Sequence, residues 1–201
     1  MITLVAVAVA IGLSAFTTMA VKDRTYVSSP AYSPVGESAR EAAVIYYSRS
    51  GHTEAVAREV ARKLNAPIAR IDADYALGFK GQSKAMTDAT SGAFPPIRIE
   101  PIDLRQARRV YLVSPTWMFR PAPPLWSYVD QADLSGKEIV LIMTGNSRFK
   151  QDEIDAFSSL VDARGGRLIH HTFLRRGRIY WQQSRSQLLE EIDARMDALI
   201  Q

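Results

Sequence analysis

The 201-residue chain contains no cysteine and only three histidines. The first absence excludes disulfides, thiolate metal sites and any cysteine nucleophile. His170 and His171 alternate along a strand-like stretch, so they fall on opposite faces, and no further ligands are in reach for a metal. Neither charge sign dominates: 25 basic and 21 acidic residues give +4 at pH 7. The arginines gather in small groups (Arg105, Arg108, Arg109; Arg175, Arg176, Arg178) among apolar or acidic neighbours, and read as solvated faces and strand ends. No ladder of aromatics accompanies them, so nucleic acid is not an expected partner. Low-complexity tracts and internal repeats are missing too. The composition, 47% apolar and 23% charged, is that of a globular domain with a core of its own. No Ser-His-Asp triad is visible, because Ser50 lacks the glycine spacing of a nucleophile elbow.

One long uncharged run is present, ITLVAVAVAIGLSAFTTMAV at residues 2–21. Its length suits a helix that crosses a bilayer. Lys22 and Arg24 follow it and no basic residue precedes it, which predicts a membrane anchor with the remaining chain on the cytoplasmic side. The alternative is a cleaved signal peptide and export, although a basic leader is missing and Thr18-Met19-Ala20 is a poor cleavage site. Residues 25–41, TYVSSPAYSPVGESARE, have no apolar period and read as a linker. The expected organisation is therefore an anchor or signal segment at 1–24, a linker at 25–41 and one domain at 42–201.

Within that domain two patterns alternate. AAVIYYS (42–48), RRVYLVSP (108–115) and KEIVLIMTGN (137–146) are continuous apolar runs, as expected of strands buried on both faces. PIARID (67–72) and RLIHHTFL (167–174) read as further strands. Val56, Val60 and Leu64 mark an amphipathic helix over 53–64, and Ile154, Phe157 and Val161 another over 151–163, closed by Gly165-Gly166. Leu188, Ile192, Met196 and Leu199 predict a terminal helix over 184–200. The stretch 75–96 is less regular, with a helix expected somewhere in 76–90, and the prolines of 121–124 suit a loop and a first helical turn. Strand and helix repeated about five times predict an α/β domain of three layers, a doubly wound parallel sheet with helices on both faces.

In such sheets ligands bind beyond the carboxyl ends of the strands. Three loops lie there. Ser48-Arg49-Ser50-Gly51-His52-Thr53 joins the first strand to a helix. It offers hydroxyls, a glycine and the amides of a first helical turn, which together fit a phosphate. It lacks the Lys of a Walker A loop and suits a monoester phosphate better than a triphosphate with magnesium. Pro115, Thr116, Trp117, Met118 and Phe119 place large apolar side chains where solvent is expected, as a flat partner would require. Thr144, Gly145, Asn146 and Ser147 fit a tight turn. The combination describes a site for a planar ring with a phosphate tail.

These loops resemble those of the flavodoxin family. Ser48 to Thr53 matches its first-loop pattern [ST]-x-[ST]-G-x-T; VYLVSPTWMFRPAPP is similar to its middle motif; ADLSGKEIVLIMTGN is similar to the approach to its third flavin loop. The resemblance covers 42–201. It implies a five-stranded sheet in the order 2-1-3-4-5 and non-covalent FMN. It implies that Ser48, Arg49, Ser50, Gly51, His52 and Thr53 hold the phosphate. Pro115 to Phe119 and Thr144 to Ser147 would flank the isoalloxazine. The chain departs from the family's acidic electron carriers in being basic, in lacking the usual stacking Tyr in the third loop, and in placing Arg120 and Arg148 beside the expected ring. Cations there would raise the flavin's potential.

The expected function is that of an FMN-binding redox protein, either a relay or a flavin-dependent oxidoreductase. Electrons would come from NAD(P)H or a partner protein and pass to a small acceptor such as a quinone. The alternative is a membrane-tethered, non-catalytic binding module that keeps the fold without the flavin chemistry.

Overall fold

The computed structural model describes residues 25–36, 41–177 and 181–200, with isolated positions between 7 and 21. The uncharged run 2–21 thus falls mostly outside the described residues. Among the described residues no helix is long and apolar enough to cross a membrane.

Five parallel strands form the centre of the sheet: β1 (Ala42–Tyr47), β2 (Ile68–Ala73), β4 (Arg109–Trp117), β6 (Glu138–Gly145) and β7 (Arg167–Arg175). They lie in the order β2-β1-β4-β6-β7, the arrangement expected from the sequence. The structure adds β3 (Ile97–Ile99), antiparallel to β2 at the edge, and β5 (Arg120–Pro121), which turns back against β4. The register runs Ile45 to Leu112 and Leu112 to Leu141.

Alternation along the strands divides the core in two. Ile45, Tyr47, Leu112, Leu141 and Met143 join one cluster with Leu125 and Trp126 of α3 (Pro123–Gln131) and Phe157 of α4 (Gln151–Ala163). Val44, Tyr46, Val113 and Ile142 join the other with Val56 and Val60 of α1 (His52–Leu64) and Leu188, Ile192 and Met196 of α5 (Arg185–Ile200). Both faces are covered, which explains why these strands read as unbroken apolar runs. The remaining helix, α2 (Phe79–Ser91), buries only Gly81, Ala85 and Ala89. Its small inward residues account for the weak periodicity of that stretch.

Residues 25–36, read from composition as a linker, carry no helix or strand but are bound to the domain. The Val27 amide donates to the Ser50 carbonyl, 3.0 Å. Tyr26 donates to the Glu54 carboxylate. Tyr32 donates to the Ala61 carbonyl, 2.9 Å, and Val35 and Asn65 exchange two hydrogen bonds of 2.9 Å each. Arg58 and Arg185 donate to the carbonyls of Pro30 and Ser28, each at 2.6 Å. This strap follows α1. Its partners are mostly backbone carbonyls and polar side chains, so no apolar spacing announces it.

Candidate functional site

The strand order reverses between β1 and β4, and a cleft of about 470 Å³ opens at their carboxyl ends. It is lined by loop residues after β1, β4, β6 and β7 and by Gln82, Ala85 and Met86 of α2.

The loop after β1 is organised by its own side chains. Ser48 is buried, and its hydroxyl accepts the Gly51 amide at 3.0 Å. Gly51 sits at φ 88° and caps α1, and a Cβ there would lie 1.9 Å from the Val27 carbonyl oxygen. Only glycine fits, because the strap lies on the loop. Ser48 and Gly51 thus shape the turn of the cradle, one through its hydroxyl and the other through its backbone. Arg49, Ser50, His52 and Thr53 line the cleft. Arg49 also donates to the carbonyls of Ala76, 2.9 Å, and Leu77, 3.0 Å, tying the loop to the segment that launches α2.

Burial, with the Arg176 and Arg185 charges adding, pushes the His52 imidazole down to about 4. At neutral pH it is uncharged. Its Nδ1 is buried with no hydrogen-bond partner among the described residues.

After β4 the chain makes a two-residue hairpin. Met118 and Phe119 have φ 50° and 74°, and Trp117 pairs with Arg120 across the turn. This is the geometry of a turn that normally carries Asn-Gly. Two bulky residues in left-handed backbone there cost of order 1–3 kcal/mol each, the kind of strain found at ligand sites. Trp117 is held edge-on by Tyr75 at 4.9 Å and Tyr47 at 5.5 Å between ring centroids. Pro115 to Phe119 all line the cleft.

The loop after β6 faces this hairpin. Thr144 is buried, and Gly145, Asn146 and Ser147 line the cleft with it. A Cβ on Gly145 would lie 2.0 Å from Thr116 Oγ1, so the approach of the two loops depends on that glycine. The Lys150 amide donates to the Phe119 carbonyl, 2.9 Å, and fastens the same pair of loops. Thr53 Oγ1 and Thr144 Oγ1 share a hydrogen bond of 2.8 Å that joins the loops after β1 and β6.

Two arginines were misread from the sequence, and one wall was missed. Arg120 does not line the cleft: it pairs with Glu153 at 3.1 Å and lies 4.2 Å above the Trp126 ring, which corrects its expected place beside a ligand ring. The wall formed by Gln82, Ala85 and Met86 had no motif to mark it. Arg176 was grouped with solvated strand-end arginines, yet it is buried and lines the cleft. Arg148 is exposed where it lines the cleft, 5.1 Å from the Phe119 ring centroid. No carboxylate lines the cleft among the described residues. Such a site can accept an anion at the hydroxyl loop and a flat apolar group between hairpin and turn.

No protein-family model matches the chain, and no curated protein matches it in sequence. Among solved structures it is similar to a flavoprotein in complex with FMN from Lactobacillus acidophilus NCFM, with TM-score 0.62, 19% identity, and coverage of 81% of this chain and 100% of that one. The apo-form of the flavoprotein from the same source gives TM-score 0.52 and 20% identity over 67% of this chain and 93% of that one. A candidate flavoprotein from Bacteroides eggerthii DSM 20697 gives TM-score 0.60 and 15% identity over 80% and 98%. At these identities the likeness is one of architecture: the chain has a flavodoxin-like fold.

Proposed function

We propose that the cleft binds FMN non-covalently and that the chain is a flavodoxin-like redox protein. The observation that carries this reading is the pairing of two unlike ends in one cleft. One end holds Ser50, His52 and Thr53 at a helix start; the other sets the strained Trp117-Met118-Phe119 hairpin against the Gly145 turn. The residues fit the group. Hydroxyls and first-turn amides suit a phosphate monoester, the orphaned His52 Nδ1 offers a further polar contact, and the absence of carboxylates from the described lining spares an anion repulsion.

When bound, FMN would supply the one- and two-electron chemistry that the side chains themselves lack. The protein's part is then to bind and orient. Thr53 and Thr144 fix the loops to each other, Gly145 lets them close, and Trp117, Met118 and Phe119 shield the ring from water. Arg148 at the rim would favour the negative charge that builds up on reduction, supporting a potential above that of acidic carriers. NAD(P)H or a partner protein as donor, a quinone-like acceptor, and a membrane tether through residues 2–21 complete the proposal.

The test is the visible spectrum of the purified chain, followed by titration with FMN. Bound FMN should give a yellow protein with altered flavin fluorescence, and Trp117→Ala should weaken binding. NADH or NADPH added to the loaded protein separates reductase from relay. A protein that leaves FMN fluorescence unchanged at high micromolar concentration overturns the reading in favour of a binding module.

A further inference from the structure

We infer that Arg176 is the charged group that receives the phosphate end of the ligand, an assignment that rests on the flavin reading above. β7 ends at Arg175, which is exposed; the next residue turns inward and is only 7% exposed. Arg176 lines the cleft with Ser50, His52 and Thr53. Its backbone is fixed on both sides: its amide donates to the Gly145 carbonyl, 2.8 Å, and its carbonyl accepts the Gln183 amide, 2.7 Å. It is thereby locked to the same turn that Thr144 bonds to the hydroxyl loop.

The charged side chains of the lining are arginines, Arg49, Arg148 and Arg176. Arg49 is committed to the carbonyls of residues 76–78. Arg148 lies over Phe119, at the hairpin end. Arg176 is the one whose charge bears on His52, inside the hydroxyl loop. Its guanidinium fork matches a phosphate in shape as well as charge. A monoester phosphate is close to a dianion at neutral pH. Arg176 thus brings to the hydroxyl loop a cation besides Arg49, from a strand end more than a hundred residues further along the chain.

The experiment compares two ligands that differ only in the phosphate. The full chain, as wild type, Arg176→Gln and Arg176→Lys, is titrated with FMN and with riboflavin by flavin fluorescence. Loss of a charge-assisted contact should weaken FMN by about 10- to 100-fold in Arg176→Gln, with riboflavin unchanged. Arg176→Lys, which keeps the charge and loses the fork, should fall between, and it carries the test if Arg176→Gln does not fold. Equal losses for both flavins, or an Arg176→Lys with the wild-type ratio of FMN to riboflavin affinity, would overturn the assignment and leave the flavin reading standing. A wild type that binds neither flavin would defeat the flavin reading itself.

Discussion

Thr53 Oγ1 lies 2.8 Å from Thr144 Oγ1, although the two residues are 91 positions apart. Both side chains are buried, and they join the loops after β1 and β6 across the intervening β4. Either Thr→Val change strands the other hydroxyl, which costs about 1–3 kcal/mol; replacing both removes the stranded group and is much milder. The expected result in urea unfolding is a double variant, Thr53→Val with Thr144→Val, more stable than the sum of the singles. Additive losses would mean that the pair does not hold the loops together.

Gly145→Ala should destabilise through contact and not through backbone strain. Its Cβ would meet Thr116 Oγ1 at 2.0 Å and the Phe173 ring at 3.0 Å. Overpacking of this kind costs about 1–3 kcal/mol. Adding Thr116→Ala removes the nearer obstacle and should recover part of the loss in a thermal melt.

The hairpin predicts the opposite sign. Met118 is exposed and held at φ 50°, where asparagine is far better tolerated. Met118→Asn should stabilise the chain by about 1 kcal/mol, seen as a rise of about 2–4 °C in melting temperature. The same variant should bind FMN less well, since a cleft-lining side chain has been exchanged. A stability gain without loss of binding would separate the strain from the site.

His52 gives stability an acid limb. Its imidazole titrates near 4 in the folded chain, against an ordinary 6.5, because it is buried and faces the Arg176 and Arg185 charges. The unfolded chain takes up the proton first. The contribution of His52 is therefore complete above pH 6.5 and is lost as pH falls from there towards 4. His171, held low by burial and by His170, acts in the same direction. His52→Gln should flatten the fall in unfolding free energy across that window without abolishing it. An unchanged slope would show that the imidazole is not buried.

Most of the sheet was legible because burial on both faces leaves apolar runs such as AAVIYY, and the helices were legible where one face packs, as with Leu188, Ile192 and Met196. β3 and β5, with three and two residues, are too short to leave a pattern. The cleft-side loops were legible as hydroxyl, aromatic and glycine groups after strands. Which of their members shape the site and which face it was not. Ser48 and Ser50 are the same residue type two positions apart, yet the first is spent on the Gly51 amide and the second lines the cleft. Arg120, Arg148 and Arg176 show the same limit. Their roles depend on Trp126, Phe119 and the Gly145 turn, neighbours brought together only by the fold.

The contact between Val27 and the Ser50-Gly51 backbone joins the chain's entry to its proposed cradle. A tension applied ahead of Thr25 would reach the cradle before it reached the first strand of the sheet. Whatever holds the N-terminal segment, a bilayer, a partner or a surface in the laboratory, is mechanically in series with the loop that would grip the ligand. Pulling from that end should release the ligand at lower force than pulling from the carboxyl end.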